Sequence, residues 1–176
     1  LHGFDNVRPS YQMIKALIKS VPDIVIDKEH LMMISPDEGA MNRCTYYSSV
    51  MGIDLGMFYK RRDYSKIVNG KNPIVQHEYI GGPLDGKKVL IIDDMIASGQ
   101  SIIEVVNEAY KRNAKEIYAV ATFAFFTEGV EKFDKLYEDG KLTRLYTTNL
   151  SYVPEEYLSR PWLVCADLSK FVAKIT

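Results

Sequence analysis

Cysteine is scarce in this sequence. Two occur among 176 residues, Cys44 and Cys165. That is too few for a disulfide scaffold and fits a reducing compartment. Long apolar runs are missing too. Runs such as residues 89–92 fall far short of the ~20 residues a spanning helix needs. No basic-then-apolar segment opens the sequence, so no secretory leader is expected, and the expectation is a cytoplasmic protein that does not engage membranes. Charge of one sign is not in excess either: 22 Lys and Arg against 23 Asp and Glu give a net charge of −1. With a pI of about 6.4 and no extended basic stripe, nucleic acid is not an expected partner. An anion must then be held locally, by a few placed groups. The three histidines, His2, His30 and His77, show no metal-ligand spacing and read as structural or exposed. There is no internal repeat, low-complexity tract or internal linker.

What is present is globular composition, 47% apolar and 26% charged, in a length that suits one domain with a real core. The chain opens on Leu1 rather than Met, and we read it as a piece cut from a longer one. Apolar spacing predicts helices over residues 9–20, 38–51, 101–112, 128–138 and 168–175. Buried strands are predicted over 31–34, 55–59, 88–92, 117–124, 142–147 and 163–166, with a short extended piece at 79–80. Residues 63–73 are polar, with Asn69-Gly70 and Asn72-Pro73 as turn signals. Strands alternating with helices predict an α/β fold, a parallel sheet with helices on both faces, in one domain spanning 1–176.

The stretch that carries chemistry is Val89-Leu90-Ile91-Ile92-Asp93-Asp94-Met95-Ile96-Ala97-Ser98-Gly99-Gln100-Ser101. A buried strand delivers two adjacent carboxylates to the sheet edge, and a short loop leads into a helix. A helix N-terminus offers unpaired N–H groups and the positive end of a dipole, which together form an anion site. Gly99 allows close backbone approach, and Ser98 and Ser101 add hydroxyl donors. Carboxylates suit vicinal hydroxyls or a hydrated divalent cation. Phosphate and diol side by side describe a sugar phosphate. A serine capping an ordinary helix beside ordinary surface acids is the plainer alternative.

These residues resemble the signature of type I phosphoribosyltransferases and of their relatives, the ribose-phosphate pyrophosphokinases (PRPP synthases). The resemblance implies the parallel-sheet phosphoribosyltransferase-like fold. It implies that Asp93 and Asp94 face ribose hydroxyls, and that Ala97, Ser98, Gly99, Gln100 and Ser101 cradle the 5-phosphate. Ser98 stands where Thr is usual, and Ala97 where many members carry a third Asp, so any role for that Asp is in doubt here. Two further segments favour the pyrophosphokinase branch. Ser35-Pro36-Asp37-Glu38-Gly39 resembles that family's pyrophosphate loop. By carry-over Asp37, Glu38 and Gly39 belong to it, and Asp37 is the candidate ligand of Mg2+. Lys60-Arg61-Arg62 resembles the start of a mobile loop in which Lys60 and Arg62 would stabilise charge as the diphosphoryl group transfers.

The implied activity is a magnesium-dependent, kinase-type transfer in nucleotide biosynthesis, from ATP to ribose 5-phosphate, giving PRPP and AMP. The resemblance covers nearly the whole chain but only the C-terminal half of such an enzyme. ATP would bind mostly through the absent N-terminal half, the isolated chain is expected to be inactive, and a homo-oligomer is expected by resemblance. Two alternatives stay open: a nucleobase phosphoribosyltransferase using PRPP, and a non-enzymatic module binding PRPP or a nucleotide.

Overall fold

The computed structural model describes residues 9–62 and 74–174. The elements run in the order α1 (Ser10–Ser20), β1 (Leu31–Ser35), α2 (Met41–Met51), β2 (Asp54–Arg62), β3 (Ile74–Ile80), β4 (Lys88–Ile96), α3 (Gln100–Lys111), β5 (Glu116–Ala124), α4 (Glu131–Glu138), β6 (Arg144–Thr148), α5 (Glu155–Leu158), β7 (Leu163–Ala166) and α6 (Ser169–Val172). The strands form one sheet of order β3-β2-β1-β4-β5-β6-β7. Every neighbouring pair is parallel except the antiparallel β2–β3 hairpin. Among the described residues no helix is long and apolar enough to cross a membrane.

Side chains on a strand alternate between faces, and β4 shows why its sequence is an unbroken apolar run. Val89 and Ile91 pack with Ile102, Val105, Val106 and Ala109 of α3 and with Phe133 and Leu136 of α4. Leu90 and Ile92 pack on the other face, with Met13 and Leu17 of α1 and Cys44 and Tyr47 of α2. A strand covered on both faces has no polar side to show. The two cores are therefore separate layers, α1 and α2 on one side and α3 and α4 on the other.

That division fixes the functional edge. The β1–α2–β2 connection turns one way along the sheet and β4–α3–β5 turns the other. β1 and β4 lie side by side, Leu31 to Ile34 matching Lys88 to Ile91 in register, so their C-terminal ends flank the switch point where parallel sheets open a crevice.

The opposite edge is closed by a polar clamp. The Lys88 ammonium, its side chain only 9% exposed, lies 3.0 Å from both Asp23 and Glu116, and the Tyr118 hydroxyl donates to Glu116. Tyr146 and Ser20 share a hydroxyl hydrogen bond of 2.6 Å, while Arg144 donates to the Ser20 carbonyl at 3.0 Å. The C-terminal end of α1 is thereby tied to β6, and the turn after it to the beginnings of β4 and β5.

Several elements depart from the sequence expectations. β4 does not stop at the acids but runs on to Ile96, because Asp93, Met95 and Ile96 still pair with Ala121, Phe123 and Ala124 of β5. The basic residues 60–62 continue β2 rather than opening a loop, since the chain doubles back as β3 with Lys60 opposite His77. A parallel sheet was expected throughout, and β3 is the antiparallel exception. α2 begins at Met41, after a turn at 38–40, and α4 begins at Glu131. The short α5 had no clear signal. The polar stretch 63–73 and Ile175 lie outside the described residues.

The clamp makes a prediction. Glu116→Gln leaves a nearly buried cation one charge short and lowers the unfolding free energy by about 1–3 kcal/mol. Asp23→Asn, at the exposed end, leaves it nearly unchanged. Urea unfolding of the two variants measures the difference.

Candidate functional site

The paired acids sit in the C-terminal half of β4, beyond its last pairing with β1 and still alongside β5. Each carboxylate caps a following N–H: Asp93 Oδ1 accepts from the Asp94 amide at 2.8 Å, and Asp94 Oδ1 from the Met95 amide at 2.9 Å. Arg43, projecting from the first turn of α2, reaches both. Its guanidinium lies 3.2 Å from Asp94 Oδ2 and 3.7 Å from Asp93 Oδ1. Burial, and then the charges of Asp94 and Asp37, push the Asp93 carboxyl up to about 6. Burial also acts against the Asp94 charge, but the hydrogen bond with Asp93 and the Arg43 guanidinium outweigh it and hold Asp94 below the usual carboxylate range. Two acids of unequal proton affinity and one counter-cation thus stand at the crevice.

The loop into α3 is built around Gly99. Its φ is +80°, and a Cβ there would lie 2.5 Å from the Phe133 ring. Phe133 is fully buried and stacked on Trp162 at 5.6 Å, while the indole N–H donates to Asp134 at 2.7 Å. Phe133 therefore cannot yield, and only glycine lets the loop lie this close to α4. The Gln100 side chain is turned along the helix to Glu104 (2.9 Å), and the Gln100 amide makes a long 3.4 Å contact with Ser98 Oγ. With glycine as N-cap, α3 has no side chain at that position to close its first turn. The loop walls a small cavity of 130 Å³ that also touches Asp93. Asp93 and the 97–101 loop, adjacent in sequence reasoning, are adjacent in space.

The second loop follows β1. The Ser35 hydroxyl donates to the Asp37 carbonyl at 2.7 Å, and Asp37 Oδ1 accepts from the Ala40 amide at 3.1 Å. A Cβ on Gly39 would come within 3.3 Å of that carboxylate. Asp37 is half-buried, Glu38 and Gly39 exposed. The Asp37 charge acts on Asp93, so this loop and β4 share one electrostatic site. Beneath them lies Cys44, whose thiol donates to the Ile92 carbonyl at 3.3 Å and is pushed up to about 11 by burial. It is a packing group, not a nucleophile. Beside Asp94 a cavity of 350 Å³ is lined by Gly39, Asn42, Arg43, Tyr47, Phe123 and Leu150, among others.

Lys60 and Arg62 lie on β2, one strand beyond β1, with a register irregularity between Arg61 and Arg62. The structure brings Asp37, Glu38 and Gly39 to the same sheet edge as Asp93, Asp94 and the 97–101 loop. It places the backbone of Lys60 and Arg62 on that side of the sheet. Sequence reasoning assigned no role to Arg43; its only signal was its place one helical turn after the Asp37 loop. Among the described residues no three of His, Cys, Asp and Glu come together as a metal site.

Two expectations follow. A carboxyl whose native affinity for its proton is raised destabilises the fold once it ionises. Between about pH 4 and 6 the unfolded chain has released that proton while the native chain retains it, so stability falls as pH rises. Asp93→Asn flattens this slope, which thermal unfolding across pH 4–7 reads directly. Gly99→Ala meets both the positive φ and the Phe133 ring, and lowers stability by about 1–3 kcal/mol in the same assay.

The comparisons with known proteins agree with the fold. The phosphoribosyl transferase domain family matches residues 4–157. The chain is 32% identical over 123 residues to the ribose-phosphate pyrophosphokinase of Pyrococcus abyssi, covering 69% of this chain and 41% of that protein. It is 30% identical over 142 residues to the ribose-phosphate pyrophosphokinase of Sulfolobus acidocaldarius, covering 81% and 44%. It thus spans less than half the length of these two curated relatives. The crystal structure of phosphoribosylpyrophosphate synthetase from Mycobacterium smegmatis shares the fold, with a TM-score of 0.76 and 20% identity over 97% of this chain and 50% of that one. An adenine phosphoribosyltransferase structure aligns with a TM-score of 0.51 over 70% of the chain. The family match takes in both loops, the paired acids and the strands that carry them, and the chain therefore belongs to the phosphoribosyl transferase domain family.

Proposed function

We propose that this chain supplies the ribose 5-phosphate side of a ribose-phosphate pyrophosphokinase site. The observation that carries the reading is that Asp93 and the 97–101 loop line one small cavity, with Asp94 lining the neighbouring larger one. In this reading the 5-phosphate takes the N–H groups at the start of α3, with Ser98 and Ser101 adding hydroxyls. Gly99 and Ala97 keep the loop free of side-chain bulk, and Gln100 begins the helix. Asp94, the more readily ionised acid, accepts from the ribose hydroxyls, and Asp93 shares the second contact.

The chemistry is transfer of a diphosphoryl group from ATP to the anomeric hydroxyl of ribose 5-phosphate. The bond between the α-phosphate and the transferred group breaks as the new sugar–oxygen–phosphorus link forms, leaving PRPP and AMP. Negative charge spreads over the phosphoryl oxygens, and positioned cations offset it. Lys60 and Arg62, on β2, are assigned that role. Asp37 is assigned to Mg2+, with Glu38 and Gly39 completing the pyrophosphate loop. Few protein ligands suit this ion, which keeps waters and takes substrate phosphate oxygens; a single half-buried carboxylate is compatible with that habit. When bound, the ion neutralises charge on the transferred group.

ATP binding is assigned mostly to the portion of the pyrophosphokinases that this chain does not match. A homo-oligomer in the cytoplasm completes the reading. A second reading draws on a separate observation. The 350 Å³ cavity beside Asp94 carries Phe123, Tyr47 and Asn42, and Phe123 stacks on Phe125 at 6.2 Å. A planar nucleobase would find an aromatic face and polar groups there, as a nucleobase phosphoribosyltransferase requires. Nucleobase-dependent release of pyrophosphate from PRPP distinguishes that activity.

Calorimetric titration with ribose 5-phosphate tests the main reading. Saturable binding is expected, weakened by at least about tenfold in Asp93→Asn/Asp94→Asn, equivalent to ~1.4 kcal/mol. Lys60→Ala/Arg62→Ala is expected to leave this affinity within about threefold, since these cations act on the transferred group. The chain alone, with ATP and Mg2+, is expected to form no AMP. Absence of binding at millimolar sugar phosphate, or undiminished binding in the double Asn variant, contradicts the assignment.

A further inference from the structure

A further cavity shares no lining residue with the small cavity at Asp93 or with the one beside Asp94. It is a groove of 620 Å³ between α1, β7 and α6. Its floor is apolar, with Ala16, Val164, Ala166 and Phe171. Its rim carries four exposed lysines. Lys15 and Lys19 stand one turn apart on α1, and Lys170 and Lys174 stand four residues apart on α6 and the turn that follows it.

Lys28, Lys88, Lys111, Lys132 and Lys141 each reach an acid within 3.3 Å. The four groove lysines reach none among the described residues; Lys15 lies 5.9 Å over the exposed Tyr11 ring instead. Lys87, Lys115 and Lys135 lie outside the groove and also reach no acid among the described residues, so what sets the groove lysines apart is that four of them converge on one concavity. Asp167 is the one acid lining the groove; its carboxylate accepts from Asn149 and from the Ser169 amide, both at 2.9 Å, and also feels the Lys170 charge, which leaves one anion against four cations. Like charges at i and i+4 weaken a helix by about 0.2–0.5 kcal/mol, which offsets part of the favourable placement of Lys19 and Lys170 in the last turns of their helices. What the arrangement creates is a surplus of positive charge over a concave, partly apolar floor, which concentrates anions.

The spacing narrows the class of anion. Four residues of helix span about 6 Å, a reach that a single phosphate does not fill and linked phosphates do. Lysine is a point-charge donor suited to phosphate oxygens. Tyr11 and Phe171 offer ring faces at the same groove.

We propose that the α1–β7–α6 groove binds a ligand bearing two or more linked phosphates, between the Lys15–Lys19 and Lys170–Lys174 banks, at a site separate from the 97–101 loop. This goes beyond the sugar-phosphate reading and shares no residue with it. Linked phosphates reach a protein either as free inorganic polyphosphate or as a nucleotide, and the probes separate the two.

The test is calorimetry on the whole chain with inorganic tripolyphosphate, orthophosphate and ADP. Saturable tripolyphosphate binding is expected, at least about tenfold tighter than orthophosphate and weakened by salt. Lys19→Glu/Lys170→Glu should reduce it by at least about tenfold. Lys132→Glu/Lys135→Glu, the same charge change on exposed positions of α4, should alter it by less than about threefold. ADP binding tighter than tripolyphosphate assigns a nucleotide; equal or weaker ADP binding assigns free polyphosphate. No saturable binding at millimolar probe overturns the proposal. So does an equal loss in the two double variants, or a loss confined to Gly99→Ala, which would place the anion on the α3 loop.

Discussion

Two carboxylates on consecutive residues at the end of a buried strand cannot both ionise without a counter-charge. The rest of the site is arranged around that constraint. Arg43 supplies the charge from α2, and α2 can present it only because Cys44 and Tyr47, the next inward-facing positions, are sunk into the core beside Leu90 and Ile92. The cation is therefore held by packing rather than by the acids themselves. Asp93 retains its proton more strongly and Asp94 less strongly than a free carboxyl. That difference gives the crevice one full anion and one group that is near its midpoint at mildly acidic pH.

The same sheet geometry separates the parts of the site. α2 and α3 lie on opposite faces because their connections leave the switch point in opposite directions. The loop before α2 carries Asp37, Glu38 and Gly39, and the loop before α3 carries Ala97, Ser98 and Gly99. A ligand at the switch point meets one loop from each face with the acids of β4 between them. The tight anchoring of the α3 loop, through Gly99 against Phe133 and Phe133 against Trp162, reaches into the second core layer. Distant aromatic packing thereby fixes the backbone of the 97–101 loop.

Much of this was legible in the sequence because the relevant signals are local. The apolar run of β4 is what burial on two faces requires, and Gly99 at the start of α3 meets both a positive φ and the close approach of Phe133. The boundaries were less legible. Asp93 and Asp94 look like the end of a strand, yet their backbone groups go on pairing with β5; polarity of the side chain and continuity of the ladder are separate matters. The basic residues 60–62 look like a loop for the same reason, and their continuation in β2 depends on β3, whose pairing partner is not written in its own sequence. Arg43 escaped notice because its importance depends on which way α2 faces, a tertiary fact. The four lysines of the α1–β7–α6 groove are two pairs separated by some 150 residues, and only the fold sets them across from each other.

The central claim is that the start of α3 takes the phosphate while Asp93 and Asp94 take the sugar hydroxyls. A crystal structure of the chain grown with ribose 5-phosphate tests it most directly. The account predicts the phosphate within hydrogen-bonding distance of the backbone amides of residues 98–101, the ribose hydroxyls on the two carboxylates, and Arg43 still paired with Asp94. A phosphate seated on the loop at residues 36–40, or a sugar that leaves both acids uncontacted, would contradict it.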